Sequence, residues 1–313
     1  MNKVLVTNYV HPYMIEGLEA LGFDVEYDPD FKAADLDAIL PDLTGVIINT
    51  KIKMTADRIS SAANLEFIGR LGSGLDIIDL PAAKEHNVAV YNSPEGNRNA
   101  VAEHALGMLL CLANNIRRGD ADVRQKMWNR ESRRGFELDG KTIGLVGFGN
   151  TGQAFARKLS SWTLDLIYSD PYLLEKPVDI STFKSTGIDQ LQNDADIISF
   201  HVQLTEETRQ MANEAFFKRC KPGVFIINTS RGDIVDTRAL IEALESGHVA
   251  GACLDVFQNE KPHTFSEEEH HLFDRLYAMD NVILTPHVAG WTHESLYKIS
   301  QVLVDKISRH SRV

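Results

Sequence analysis

Three polar residues stand where short apolar runs give way to turns: Arg231 in "INTSRGDIVD", Glu260 in "LDVFQNEKP" and His287 in "ILTPHVAGWT". An arginine just past the end of a strand is costly unless it holds something anionic. In an open α/β sheet, ligands bind outside the carboxyl ends of the strands, so the three can converge on one ligand. Each alone is more often a surface ion pair or a capping group. Asp236, after Arg231 and Gly232, is placed to cap the helix "TRALIEAL".

A fourth motif indicates what that ligand is. "KTIGLVGFGNTGQAFARKL" reads as a strand, then Gly147, Gly149 and Gly152 in G-x-G-x-x-G spacing, then a helix. Glycines so placed allow a tight turn, close approach of a pyrophosphate and close strand-to-helix packing, while the helix start supplies unpaired N–H donors. Asp170, in "LIYSDP" at the end of the next apolar run, can accept from both ribose hydroxyls of a dinucleotide. A carboxylate there repels a 2′-phosphate, and Pro171 and Tyr172 follow with no arginine to receive one, which favours NAD over NADP. S-adenosylmethionine is the competing ligand, since its folds also pair a glycine turn with an acid after the second strand.

These residues need a scaffold of parallel strands, and the sequence provides two series of apolar, β-branched runs. The first is "KVLVT", "DVEY", "GVIIN", "EFIGR" and "VAVYN"; the second is "TIGLVG", "DLIYSD", "DIISF", "GVFIIN", "GACLDVF" and "NVILTPH". Their spacing leaves room for a helix between successive strands, which predicts α/β architecture with parallel sheets covered on both faces, in two domains. Between the series, "NAVAEHALGMLLCLANNIRR" has apolar residues at helical spacing and no breaker but Gly107, so it reads as one long helix over 99–118 connecting the domains. After "TPHVAG", the stretch "WTHESLYKISQVLVDKISRH" reads as a second amphipathic helix capped by Thr292.

Taken in order, "TADRI", "GRLGSGLDIIDL", "NSPEGNRNAVAEH", "ELDGKTIGLVGFGNTG", "KPGVFIINTSRGDIVD", "ALESGHVAGACLDVF" and "NVILTPHVAG" resemble the D-isomer-specific 2-hydroxyacid dehydrogenases, in particular those acting on 3-phosphoglycerate. The likeness spans nearly the whole chain. It sets S-adenosylmethionine aside, because a methyltransferase gives Arg231, Glu260 and His287 no joint role. The resemblance implies that Arg231 holds the substrate carboxylate and keto oxygen, that His287 is the general acid/base and that Glu260 is its partner. A carboxylate beside an imidazole favours the protonated ring, which suits ketone reduction.

By the same likeness, Asn150 and Thr151 line the pyrophosphate turn; Val202, Thr229, Ser230 and Gly290 contact the cofactor; and Asp255 binds the nicotinamide amide. Ser73 and Gly74 of "LGSG" face substrate, with Ser73 also reaching the cofactor. The implied architecture is two doubly wound domains: a Rossmann NAD-binding domain, 99–291, inserted into a flavodoxin-like substrate domain of 1–98 plus 292–313, with the cleft between them. The segment 117–134 is expected to help build a homodimer through the nucleotide-binding domain. Oxidation of 3-phosphoglycerate to 3-phosphohydroxypyruvate in serine biosynthesis is the expected activity, with hydroxypyruvate or glyoxylate reduction as the alternative and an NAD-sensing interaction protein as the alternative of another class.

Some positions depart from the family pattern. Gln203 stands in "HVQL" where a proline is usual, Asn49 where phosphoglycerate dehydrogenases of the animal type have an arginine, and Trp291 follows "HVAG". Lys51, two residues after Asn49, is the candidate for a substrate phosphate, together with the arginines at 130, 133 and 134. The chain ends soon after the returning helix, so no appended regulatory domain is expected.

Composition limits the partners. With 32 basic against 44 acidic residues the net charge is -12, which argues against nucleic acid or an anionic membrane. The segment 117–134 runs the other way, with seven Arg or Lys against three Asp or Glu, and reads in isolation as a solvated helical arm. No apolar stretch approaches the roughly 20 residues of a bilayer span. "MNKVLVTNYV" reads as a first strand and not as a signal peptide, which places the protein in the cytoplasm. Cys111, Cys220 and Cys253 suggest buried thiols, with neither disulfides nor a metal site expected.

Overall fold

A computed structural model of the chain describes residues 2–173 and 183–310, the side chain of His310 excepted. The outer ends of the expected domain ranges, residue 1 and residues 311–313, lie outside the described residues. By Cα proximity the chain divides into two compact units, Met1–Arg98 with Trp291–Val313, and Asn99–Gly290.

In the first unit, strands β1 (Lys3–Val6), β2 (Asp24–Tyr27), β3 (Gly45–Ile48), β4 (Phe67–Arg70) and β5 (Ala89–Asn92) form one parallel sheet in the order β2-β1-β3-β4-β5. This is the flavodoxin-like order. One face of the sheet is covered by the helices Pro12–Ala20 and His293–His310, through Met14, Leu18, Ile299, Leu303 and Ile307. Helices Ala56–Ser61 and Leu80–Glu85 cover the other, where Ile48, Met54, Ile59, Ile68 and Ala83 are buried. β3 and β4 are buried at every position, as expected of parallel strands sandwiched between helices. Thr292 does cap the last helix: its hydroxyl accepts from Ser295 N at 3.0 Å.

The second unit holds β6 (Thr142–Val146), β7 (Asp165–Ser169), β8 (Lys184–Ser185), β9 (Ile197–Phe200), β10 (Val224–Asn228), β11 (Val249–Leu254) and β12 (Val282–Leu284). All are parallel, in the order β12-β11-β10-β9-β6-β7-β8. Counted from β6, the order is that of the doubly wound Rossmann sheet with one further strand. The two-residue β8 is the strand that sequence patterning does not show.

The expected single helix over 99–118 is two helices. One runs Pro94–Ala113 and the next Ile116–Arg124, with Asn115 between them in the left-handed region at φ 51. Asparagine tolerates that conformation, so the apolar periodicity continues while the backbone turns. The cysteines also need one correction: Cys220 and Cys253 are buried, but Cys111 is only partly so. Burial pushes the Cys220 thiol up to about 12.

Candidate active site

The chain leaves β6 toward β7 on one side and returns, after β8, to β9 on the other, so the carboxyl ends of β6 and β9 meet at a topological switch point. The glycine turn lies there. Gly147 has φ 89, and a Cβ on it would come within 2.5 Å of the His201 carbonyl oxygen just past β9. A Cβ on Gly152 would stand 2.4 Å from the carbonyl oxygen of Gly147, so the helix Asn150–Leu159 can pack onto the turn only with glycine in that place. Gly149, by contrast, has open space around its Cβ position. That space, beside the start of a ten-residue helix whose first N–H groups have no intrahelical acceptor, fits a pyrophosphate.

Asp170, directly after β7, turns its carboxylate to the same place: Oδ2 accepts from Phe148 N at 2.7 Å and Oδ1 from Tyr172 N at 3.0 Å. The Tyr172 hydroxyl donates to Glu207, joining the loops after β7 and β9. Thr229 Oγ1 is buried with no hydrogen-bond partner among the described residues, as a group awaiting a polar ligand would be. Ser230 Oγ donates to Phe200 O at 2.6 Å, and Val202 packs on the core beside the glycine turn. These observations fit the dinucleotide that the glycine spacing suggests.

His201 belongs to this turn, although sequence reading gave it no part. Burial pushes its imidazole down to about 3, so the ring is neutral, and its Nε2 shares a hydrogen with Ser199 Oγ at 2.9 Å. The signal was present in "HVQL", but a lone histidine in an apolar run is more often a core residue than a ligand.

Arg231, Glu260 and His287 follow β10, β11 and β12 in turn. His287 Nδ1 lies 2.8 Å from Glu260 Oε2, and Phe257 N donates to Glu260 Oε1 at 3.3 Å. Burial pushes the Glu260 carboxyl up, but the hydrogen bond and charge of His287, the Phe257 N–H and the charge of Arg231 outweigh it and hold the group below its ordinary value. The Arg231 loop is locked to the Glu260 loop by contact: a Cβ on Gly232 would fall 1.9 Å from the Phe257 carbonyl. Asp236 caps the helix Thr237–Glu245, accepting from Arg238 N and Ala239 N, and Gln258 Oε1 accepts from Thr237 N at 2.9 Å.

Asp255, at 1% exposure, is the buried centre of the His287 turn. Oδ1 accepts from Thr285 Oγ1 at 2.6 Å and Val288 N at 2.9 Å, and Oδ2 from Ala289 N at 2.8 Å. The carboxylate therefore grips the chain on both sides of His287, whose backbone sits in the left-handed region at φ 57. Gly290 directly follows this grip. Behind it, His104 Nε2 is 3.0 Å from Thr285 Oγ1. Neither this grip nor His104 was foreseen from sequence.

Lys51, Ser73 and Gly74 belong to the first unit. Ser73 lies in the turn after β4: Asn92 Nδ2 donates to Ser73 O at 2.8 Å, and Ser73 Oγ donates to Asn97 Oδ1 at 3.2 Å. Gly72, at φ 121, exchanges two hydrogen bonds of 2.9 Å with the buried Ser93, and Gly74 beside it is buried. Lys51 is exposed after β3, with Nζ 3.2 Å from Pro29 O. Among the described residues no cluster of His, Cys, Asp or Glu could hold a metal ion, and no helix is long and apolar enough to cross a membrane.

Residues 106–289 match the family of the D-isomer specific 2-hydroxyacid dehydrogenase, NAD binding domain. The chain belongs to this family. It is 37% identical over 292 residues to a hydroxypyruvate reductase of Thermotoga maritima, covering 93% of this chain and 90% of that protein. It is 32% identical over 305 residues to a D-3-phosphoglycerate dehydrogenase of Archaeoglobus fulgidus, covering 97% of this chain but 56% of that one. The chain thus spans about half the length of the phosphoglycerate dehydrogenases it matches. Its fold matches the crystal structure of a D-lactate dehydrogenase from Aquifex aeolicus complexed with NAD and lactic acid, with a TM-score of 0.87, 27% identity, and 99% and 96% of the two chains covered.

In this member of the family, the basic segment 117–134 is largely exposed and in part helical, as its charge suggested, and several of its charges pair within it. Arg133 makes two bonds to Asp122, Nε at 2.7 Å and Nη2 at 3.0 Å, and holds that carboxyl below the usual carboxylate range. Arg134 pairs with Glu131 and Arg124 with Asp120. Ile116, Val123 and Trp128 are exposed, at 55%, 53% and 71%.

Proposed function

We propose that the chain is an NAD-dependent D-2-hydroxyacid dehydrogenase. The observation that carries this is the His287–Glu260 pair at 2.8 Å, with Arg231 close enough to help keep Glu260 ionised, on the unit that matches an NAD-binding domain. NAD supplies the acceptor or donor of the hydride at C2. Gly147, Gly149, Asn150, Thr151 and Gly152 would hold its pyrophosphate, Asp170 its ribose, and Val202, Thr229, Ser230, Asp255 and Gly290 its nicotinamide half.

The proton chemistry falls to His287. Its Nδ1 is committed to Glu260, which leaves Nε2 as the atom that meets the C2 oxygen. In ketone reduction Nε2–H gives its proton to that oxygen; in the reverse direction Nε2 takes it. Glu260, ionised throughout the neutral range, fixes the ring's orientation and balances the imidazolium charge. The Arg231 guanidinium offers a planar fork of donors to the substrate carboxylate and keto oxygen.

For the substrate, 3-phosphoglycerate is the first reading, supported by likeness to D-3-phosphoglycerate dehydrogenases over 94–98% of this chain. Hydroxypyruvate is the second. It is favoured by the engagement of three of the four expected phosphate cations, Arg133 by Asp122, Arg134 by Glu131 and Lys51 by Pro29 O. We place the enzyme in the cytoplasm, in keeping with its free thiols, as a homodimer joined through the exposed apolar residues of 116–128.

His287→Ala and Arg231→Ala test the mechanism. Each is expected to lower kcat by about 10²–10⁴ while the NADH dissociation constant, read by fluorescence titration, stays within a few-fold. Turnover like that of the unaltered enzyme in His287→Ala rules the mechanism out.

A further inference from the structure

We infer that His104 is a positioning residue for His287, acting through Thr285 and Asp255; the inference rests on reading His287 as the acid/base. His104 lies on the helix Pro94–Ala113, 181 residues before Thr285 in sequence, with Nε2 3.0 Å from Thr285 Oγ1 and 3.6 Å from Asp255 Oδ1.

The direction of the hydrogen bonds follows from counting hydrogens. Thr285 Oγ1 has one hydrogen and three acceptors within reach: Asp255 Oδ1 at 2.6 Å, His104 Nε2 at 3.0 Å should that nitrogen be unprotonated, and the weaker Met108 Sδ at 3.7 Å. Asp255 already accepts from Val288 N and Ala289 N, an arrangement that suits a carboxylate, so the threonine hydrogen goes to Asp255. With its hydrogen spent, Thr285 Oγ1 can only accept from His104. The ring must then carry its hydrogen on Nε2, and the relay runs from His104 Nε2–H to Thr285 Oγ1–H to Asp255 Oδ1.

The relay ends on the group that shapes the catalytic turn. Asp255 binds residues 285, 288 and 289, on either side of a histidine in the left-handed region, and His287 N donates to Thr285 O at 3.0 Å. Without the His104 donor, Thr285 Oγ1 loses the bond it accepts and keeps the one it donates, so its hydroxyl is held from one side only. One of the turn's three anchors on Asp255 is thereby loosened, at the residue two before His287. A displacement of about 1 Å at the acid/base is enough to slow a chemical step severely.

His104→Leu removes the donor, His104→Gln keeps an N–H where Nε2 was, and Thr285→Val breaks the relay one link on. The readouts are kcat and KM for whichever of phosphohydroxypyruvate and hydroxypyruvate is reduced faster, the NADH dissociation constant, the melting temperature, and the isotope effect with NADH deuterated at the transferred position. His104→Leu is expected to lower kcat roughly five- to twenty-fold, as loss of one hydrogen bond to a catalytic turn does, with an increased isotope effect. KM is expected to change little, and His104→Gln to recover most of the rate. His104→Leu combined with Thr285→Val should be no slower than the slower single variant, because both cut one relay.

Unchanged kcat and isotope effect in both His104→Leu and Thr285→Val would overturn the inference, as would strictly multiplicative losses or a His104→Gln variant as slow as His104→Leu. A lower melting temperature with unchanged kcat counts against it too, since that marks a structural role only. His287→Ala, run alongside, separates the two levels: an active His287→Ala removes the acid/base reading itself, whereas an inactive one with a fully active His104→Leu removes only the relay.

Discussion

The turns after β6 and β12 both leave the carboxyl end of a parallel strand, yet they are held by opposite means. At Gly147–Gly152 the backbone is set by the absence of side chains, with the His201 carbonyl and the Gly147 carbonyl lying where Cβ atoms would be. At Thr285–Ala289 it is set by a buried carboxylate 30 residues earlier, which draws a hydroxyl and two N–H groups around itself. A turn of the first kind leaves room for a large anionic ligand to approach the backbone. One of the second kind fixes a single side chain, here His287, and so suits chemistry better than binding.

That contrast can be broken from either side. The largest effect is expected from Gly147→Ala, which combines a side chain at φ 89 with a contact of 2.5 Å to the His201 carbonyl. It should cost about 2–5 kcal/mol of stability, measured by urea unfolding, and NADH binding should weaken with it. Asp255→Leu comes next. It strands Val288 N–H and Ala289 N–H, at about 1–3 kcal/mol for each group left unsatisfied, and kcat should fall along with stability. If Asp255→Leu unfolds like the unaltered protein, the carboxylate is not what shapes that turn.

A smaller change should follow at Asp170, whose carboxylate accepts from the glycine turn and stands where a ribose 2′ position is expected. In Asp170→Ala the preference for NADH over NADPH, as a ratio of kcat/KM values, should shrink on the order of ten-fold. Equal use of both cofactors by the unaltered protein contradicts the assignment.

The smallest effect is a displacement and not a loss. Because the Glu260 carboxyl is held below its ordinary value, it stays charged through neutrality, and its support of His287 fades only as the pH falls through that depressed value. Glu260→Gln removes the negative charge at every pH, so no carboxylate is left to be protonated on the acid side. The acid limb of the keto-acid reduction profile should therefore move to lower pH, out of the range that carboxyl sets. An unmoved acid limb means that the charge of Glu260 is not what supports His287.

The same contrast explains what could be read in the sequence. The glycine turn is a local pattern, six residues long between a strand and a helix, and its place after the first strand of the second series followed from the alternation of apolar runs. The strands were legible for that reason, except Lys184–Ser185, which is two polar residues with no pattern to show. The break at Asn115 was hidden because apolar spacing continues across it and nothing but the left-handed backbone marks the turn. Arg231, Glu260 and His287 could be named as strand-end residues, but the relay behind them could not. His104 and Thr285 are 181 residues apart, and a histidine on an apolar helix carries no local sign of the hydroxyl it meets. Likewise the cations proposed for a phosphate were visible as residue types, while the pairing of Arg133 with Asp122, eleven residues earlier, depends on how the chain folds back.

The measurement that bears most directly on the proposed activity is a panel of 2-keto acids assayed with NADH at low and high salt. Phosphohydroxypyruvate, hydroxypyruvate, glyoxylate and pyruvate should include at least one rapidly reduced substrate. If a phosphate is read by charge, phosphohydroxypyruvate should lead, with a kcat/KM that falls steeply with salt and a lead that narrows in Lys51→Ala. Faster reduction of hydroxypyruvate, unaffected by Lys51→Ala, moves the assignment to the unphosphorylated acid and leaves the dehydrogenase intact. No NADH oxidation with any 2-keto acid, by folded protein that binds NADH, contradicts the account at its centre.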